Sequence, residues 1–227
     1  MKKTNLLAIL ACISLVFSSC NTEDYIALDS PNAKSLKSFE IKKDLSGKYY
    51  LDFDVNDGTK VDKFFNKETK TNELYLSSSD INAKNNFSEE FGLNNSELKI
   101  GFVDMASSNS KSISIIDDNI VLAKGKSQGL KSYSIKSVED GIYKLDFKVS
   151  NGISVDFTYN EDIDTYEIHL DNGKSSKKNF TKNFEKEAGK VLKIDFVNHY
   201  ANSSSKSESL EAPRKPKIII DTFGDNF

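Results

Sequence analysis

The residues that could do chemistry are few, and the two histidines are the natural place to start. Asp146, Asp156 and His169 make the best polar constellation in the sequence. A hairpin joining the segment from Tyr143 to Val149 to the one beginning at Val155 would set Asp146 opposite Asp156, and a further strand through His169 would bring the imidazole beside Asp156. Two carboxylates and an imidazole so placed suit acid–base or metal-assisted hydrolysis. Lys144 and Lys148 share the strand face of Asp146, so a solvated charged face is the plainer reading and hydrolysis the lesser one. His199, in Val197-Asn198-His199-Tyr200, reads as a strand-end histidine. The stretch from Asp52 to Gly58 invites comparison with a calcium loop, but its glycine is seventh where such loops need it sixth, and Lys148 stands where Asp54 does in a second copy of the segment. No nucleophile elbow, phosphate-cradling loop, His-Glu metal motif or paired cysteines follows Cys20. The expectation is therefore a protein that is not an enzyme, with no metal and no cofactor.

The elements that must position these residues are duplicated. Ser38 to Leu76 aligns without a gap onto Ser132 to Leu170 at a shift of 94, with 16 of 39 positions identical, and the match resumes at Leu98 to Val103 against Leu192 to Val197. In each copy Tyr49, Leu51, Phe53 and Val55, or Tyr143, Leu145, Phe147 and Val149, alternate with polar residues, the period of a strand with one wet face. Asn56-Asp57-Gly58 and Ser150-Asn151-Gly152 suit a hairpin loop whose glycine takes the left-handed position, which would face Phe53 with Val61 and Asp52 with Asp62. Phe87 and Phe91, and Phe180, Phe184 and Ala188, at i, i+4 spacing before Gly92 and Gly189, predict a short helix. The expected fold class is α+β: two tandem domains, each β-β-β-β-α-β with about five antiparallel strands. The boundaries read as 1–19 signal peptide, 20–36 tether, 37–104 first repeat domain, 105–131 linker with a connecting strand from Ile113 to Leu122, 132–200 second repeat domain, and 201–227 a polar tail ending in an edge strand from Lys217 to Asp221. Units this small sit at the edge of independent stability, so the copies are expected to share an interface.

With 37% hydrophobic and 29% charged residues in 227, the chain can build a real core, and 31 basic against 34 acidic residues leave no excess positive charge for a nucleic-acid backbone. Aromatics off the core period, Tyr50, Phe64, Tyr75 and Tyr166, are available for a contact surface, and Tyr50 and Tyr75 are its candidate anchors. Outward positions differ between the copies (Tyr50 against Lys144, Asp54 against Lys148, Tyr75 against His169), which predicts one asymmetric binding surface.

The first twenty residues are an address. Two lysines, an apolar stretch from Leu6 to Phe17 and the small pair Ser18-Ser19 precede Cys20, too short for a spanning helix, which needs roughly 20 apolar residues. The alternative is an ordinary secretory signal cut near Ser19. On these residues the segment resembles a bacterial lipoprotein signal, with Phe17 where leucine is usual. The resemblance implies that Cys20 becomes the acylated first residue, carrying palmitate-type chains. Cys12 would leave with the signal, so no disulfide is expected. The acidic pair Glu23-Asp24 resembles the surface-export signal of Bacteroidota lipoproteins. What this implies is a lipid-anchored outer-membrane protein on the cell surface, a binding or accessory module for an envelope or extracellular protein or glycan. The alternative is a periplasm-facing structural or assembly partner.

Overall fold

The computed structural model describes residues 35–78, 83–107, 110–117, 129–199 and 214–222, all within one compact unit. Cys20, Glu23 and Asp24 lie outside the described residues. The first copy supplies β1 (Leu36–Lys43), β2 (Tyr49–Val55), β3 (Thr59–Asn66), β4 (Thr71–Ser78), β5 (Asn86–Phe91), β6 (Glu97–Asp104) and β7 (Lys111–Ile116). The second supplies β8 (Leu130–Glu139), β9 (Ile142–Val149), β10 (Ile153–Asn160), β11 (Thr165–Asn172), β12 (Asn179–Glu185), β13 (Leu192–Asn198) and β14 (Arg214–Thr222). They form a six-stranded sheet in the order β12-β9-β8-β1-β2-β5 and an eight-stranded sheet in the order β10-β11-β13-β14-β7-β6-β4-β3.

Both orders read as one copy running outward from a central seam and the other running outward on its far side. The seams are the antiparallel pairs β1 with β8 and β7 with β14. Ile41 and Ile135 are equivalent residues at the shift of 94, and they are also direct partners across the first seam, each fully buried. A residue that pairs with its own counterpart marks a local twofold, so the duplication is built as an internal dimer that shares both sheets.

The expected α+β class is overturned, because no helix occurs among the described residues and the fold is a two-sheet β structure. The Phe87 and Phe180 segments are strands β5 and β12. Four residues is one turn of helix but also an even number, so Phe87 and Phe91 share a strand face just as they would share a helix face. The aromatic partners decide between them. Phe87 pairs with Phe53, ring centroids 4.8 Å apart, and Phe180 with Phe147 at 5.3 Å, an identical device in both copies.

The expected β2–β3 hairpin is corrected too. Gly58 and Gly152 do take the left-handed conformation, with φ of 72° and 76°, but the turn carries the chain from one sheet to the other. The edges of β2 are taken by β1 and β5, while β3 pairs with β4 alone. Phe53 therefore does not pair with Val61, and Asp52 and Asp146 are not opposite Asp62 and Asp156. Nor is the last strand an edge: β14 lies inside the larger sheet between β13 and β7, with Ile218 and Ile220 fully buried. Strand β7 ends at Ile116, short of the expected Leu122, and residues 118–122 are outside the described ones.

The core lies between the sheets. Phe53 of the smaller sheet meets Phe102 of the larger edge-on at 5.4 Å, and the equivalent Phe147 and Phe196 meet at 5.3 Å. Each such buried ring contributes roughly 2–3 kcal/mol by removal from water, and the repetition of the contact explains why these four positions match between copies.

Candidate functional surfaces

On the larger sheet Leu74 and Leu76, and Ile168 and Leu170, point into the core, so Thr71, Glu73 and Tyr75, and Thr165, Glu167 and His169, lie on its outer face. Glu73 and Glu167 are nevertheless buried, 6% and 5% exposed, and must be hydrogen-bonded there. The Asn66 Nδ2 donates to Glu73 Oε1 at 2.9 Å, and Asn160 donates to Glu167 in the same way at 2.9 Å. The second oxygen of Glu73 accepts from the Tyr75 hydroxyl at 2.7 Å, and that of Glu167 lies 3.1 Å from His169 Nε2. The sequence reading missed this pair of motifs. Its signal was present, because Asn66/Asn160, Thr71/Thr165 and Glu73/Glu167 are identities between the copies at polar positions.

The second copy elaborates the motif. Arg214, at the start of β14, pairs with Glu167 Oε1. Burial pushes the Glu167 carboxyl up, but the hydrogen bonds and charge of Arg214, with Asn160 and His169, outweigh it and hold the group below its usual range. Asp195 on β13 goes the other way: burial raises it although Lys217 lies 3.3 Å away. His169 Nδ1 is 2.9 Å from Nε2 of His199. Among the described residues no group of three or more His, Cys, Asp or Glu is placed to hold a metal ion.

These positions redistribute the residues singled out above. Asp156 is the direct ladder partner of His169, whereas Asp146 stands on β9 in the other sheet, so the three do not share a site. Tyr50 and Tyr75 are both off the core face and half-buried, but Tyr50 lies on the outer face of the smaller sheet and Tyr75 on that of the larger, on opposite sides of the fold. A single patch cannot use both.

The outer face of the smaller sheet carries a cleft of about 330 Å³ lined by Ser38, Glu40, Asp52, Asp54, Asn86 and Lys136 among others. Its carboxylates are held in place: Asp52 accepts from Lys42 and Ser88 at 2.6 Å each, and Asp54 from Ser38 at 2.9 Å and Asn86 at 2.5 Å. The Lys42 and Ser88 bonds draw the Asp52 carboxyl below its ordinary value despite some burial. Asp146 is the counterpart of Asp52, with Thr181 and Lys144 replacing Ser88 and Lys42. Beyond that shared pair the halves diverge. Glu40, Asp52, Asp54 and Glu90 outweigh Lys42 and Lys48 in the first copy, while Lys136, Lys144 and Lys148 outweigh Asp146 and Glu185 in the second.

A third cluster closes one end of the interior. Tyr49 donates to Asp117 at 2.5 Å, Tyr133 donates to Tyr49 at 3.3 Å, and Lys43 pairs with Asp117. Burial pushes both phenols far above their usual range, with the neighbouring phenol and Asp117 adding to the shift at Tyr49. Tyr143, the counterpart of Tyr49, meets Lys111 at 3.4 Å instead and is pushed up to about 12 by burial and by Asp140. With both phenols held protonated, the cluster works as a structural tie across β1, β2, β7 and β8. Comparison of the chain with protein-family models, with curated proteins and with solved structures finds no match in any of the three.

Proposed function

We propose that the chain is a lipid-anchored cell-envelope protein, exposed at the surface of the outer membrane, acting as a non-catalytic binding or accessory module. The observation that carries the anchor is the sequence Ser18-Ser19-Cys20 directly after the apolar stretch from Leu6 to Phe17. The binding half of the reading is supported by the smaller sheet's outer face, where two halves with the same backbone plan present opposite charge. Opposite charge on two halves of one face suits a partner of complementary pattern, since charge patterning sets partner choice and encounter more than raw affinity.

Replacing Cys20 by Ala is expected to move the protein from the membrane to the soluble fraction, because one acylated residue is the whole attachment in this reading. Membrane association unchanged by that substitution would defeat it. Export is tested separately. Glu23→Ala with Asp24→Ala should leave membrane attachment intact and cut digestion by external protease on intact cells severalfold. Equal digestion of mutant and parent would favour an export route that ignores these residues; protection of both would favour the periplasm-facing assembly partner.

A further inference from the structure

Glu167, His169 and His199 form an unbroken polar chain on the outer face of the larger sheet. His169 Nε2 lies 3.1 Å from Glu167 Oε2 and 2.9 Å from Thr158 Oγ1, while its Nδ1 lies 2.9 Å from His199 Nε2. The two imidazole planes are 13° apart with centroids separated by 5.2 Å. That exceeds the gap between the facing nitrogens by about two ring radii, so the rings lie end to end in one plane and share an in-line hydrogen bond. The lone pairs point at each other's nitrogens instead of converging on a common point, which fits a shared proton and not a shared metal ion.

The protonation pattern follows from Glu167. Its carboxylate, held ionised by Arg214 and Asn160, accepts from His169, so Nε2 of His169 carries its hydrogen and Nδ1 is bare. His199 then donates through Nε2–H and leaves its own Nδ1 free of hydrogen. One added proton is accommodated at His199 Nδ1 without moving a heavy atom, and the central N–H···N bond persists. A second proton can go only to His169 Nδ1. Two N–H groups then meet head-on between two imidazolium cations, and the bond is lost.

We propose that this chain is an acid-opened latch: it fastens the end of β13 to β11 while the pair holds at most one added proton, and releases it when both histidines are charged. The charged groups on the same face are Asp156 on β10, Glu167 and Asp171 on β11, Lys193 and Asp195 on β13, and Arg214 and Lys217 on β14, with Asp156 the ladder partner of His169 and Glu167 in contact with its ring. Because β13 pairs with both β11 and β14, loosening its end exposes the join between the outer and inner strands of the second copy.

The chain contains only these two histidines, so long-range proton–nitrogen NMR of the full chain, taken from about pH 8 to about pH 4, reads the latch without interference. At neutral pH His169 should show a protonated Nε2 and a bare Nδ1. On acidification, the protection of the Val197 to His199 amides, measured against the intrinsic exchange rate at each pH, should fall by about tenfold or more while Ile41 and Ile135 at the seam stay protected, which separates local opening from unfolding. His199→Gln keeps a donor for His169 but cannot charge, and should hold neutral-pH protection while abolishing the acid step. The proposal is overturned if His169 carries its hydrogen on Nδ1 at neutral pH, if His199→Gln opens on acidification as the parent does, or if Zn²⁺ at neutral pH shifts both rings as a ligand pair.

Discussion

Cut between its copies, the protein is expected to come apart entirely: a fragment of residues 35–117 should be unfolded in isolation, and so should the fragment from residue 129 onward. Each seam strand has its second hydrogen-bonding edge filled by the other copy, β1 by β8 and β7 by β14. Removing one copy opens those edges in both sheets at once and strips cover from Ile41, Ile113 and Ile115, all fully buried in the whole chain. Half a domain of this size has little stability to lose, since whole domains keep only about 5–15 kcal/mol. Circular dichroism should show disordered fragments separately and a β signal when they are mixed, and the intact chain should melt in one transition. Two fragments that each fold alone, or two transitions in the intact chain, would show that the shared sheets are not what holds the fold.

Asp117→Ala is expected to be the most damaging single substitution at a polar position, lowering stability by about 3 kcal/mol, the range seen when one partner is removed from a largely buried charged pair. Asp117 is 5% exposed, receives the Tyr49 hydroxyl, and faces Lys43, whose side chain is 14% exposed. Its loss removes the acceptor of a buried phenol and the carboxylate that pairs with a mostly buried ammonium, at a point where both copies meet. Asp117→Asn keeps an acceptor for Tyr49 but not the charge, so it should fall between parent and alanine variant. Tyr49→Phe, which removes the hydroxyl but leaves the ion pair, should cost about 1 kcal/mol. Denaturant midpoints of the three variants check the order, and an alanine variant as stable as the parent would contradict the assignment of the cluster as a tie.

What could be read in the sequence was what period and repetition encode. Tyr49, Leu51, Phe53 and Val55 alternate in the sequence and are buried in the structure, and the shift of 94 relates β1–β6 to β8–β13, which occupy equivalent places in the two sheets. What could not be read was the identity of each strand's partner. Alternation followed by Asn56-Asp57-Gly58 describes a chain reversal equally well within one sheet or between two, and only the competition of β1 and β5 for the edges of β2 decides it. The same ambiguity turned the Phe87 and Phe180 segments into helices, because even spacing serves both periods.

The site residues divide along the same line. The pairing of Asp156 with His169 is legible because it depends on a hairpin that forms, β10 with β11, whereas the position of Asp146 depends on one that does not. Glu167, the centre of the outer-face network, drew no attention as an acidic residue in a charged segment. Its burial arises from Asn160 and Arg214, the latter 47 residues away in sequence, and no local pattern reports it.

The proposed attachment through Cys20 is tested most directly by the mass of the mature chain isolated from membranes. The predicted result is a chain that begins at Cys20, carries the added mass of a diacylglyceryl group on that residue, and yields a lipid-bearing N-terminal peptide on digestion. A mature chain that begins at any other residue, or that begins at Cys20 with an unmodified thiol, would contradict it.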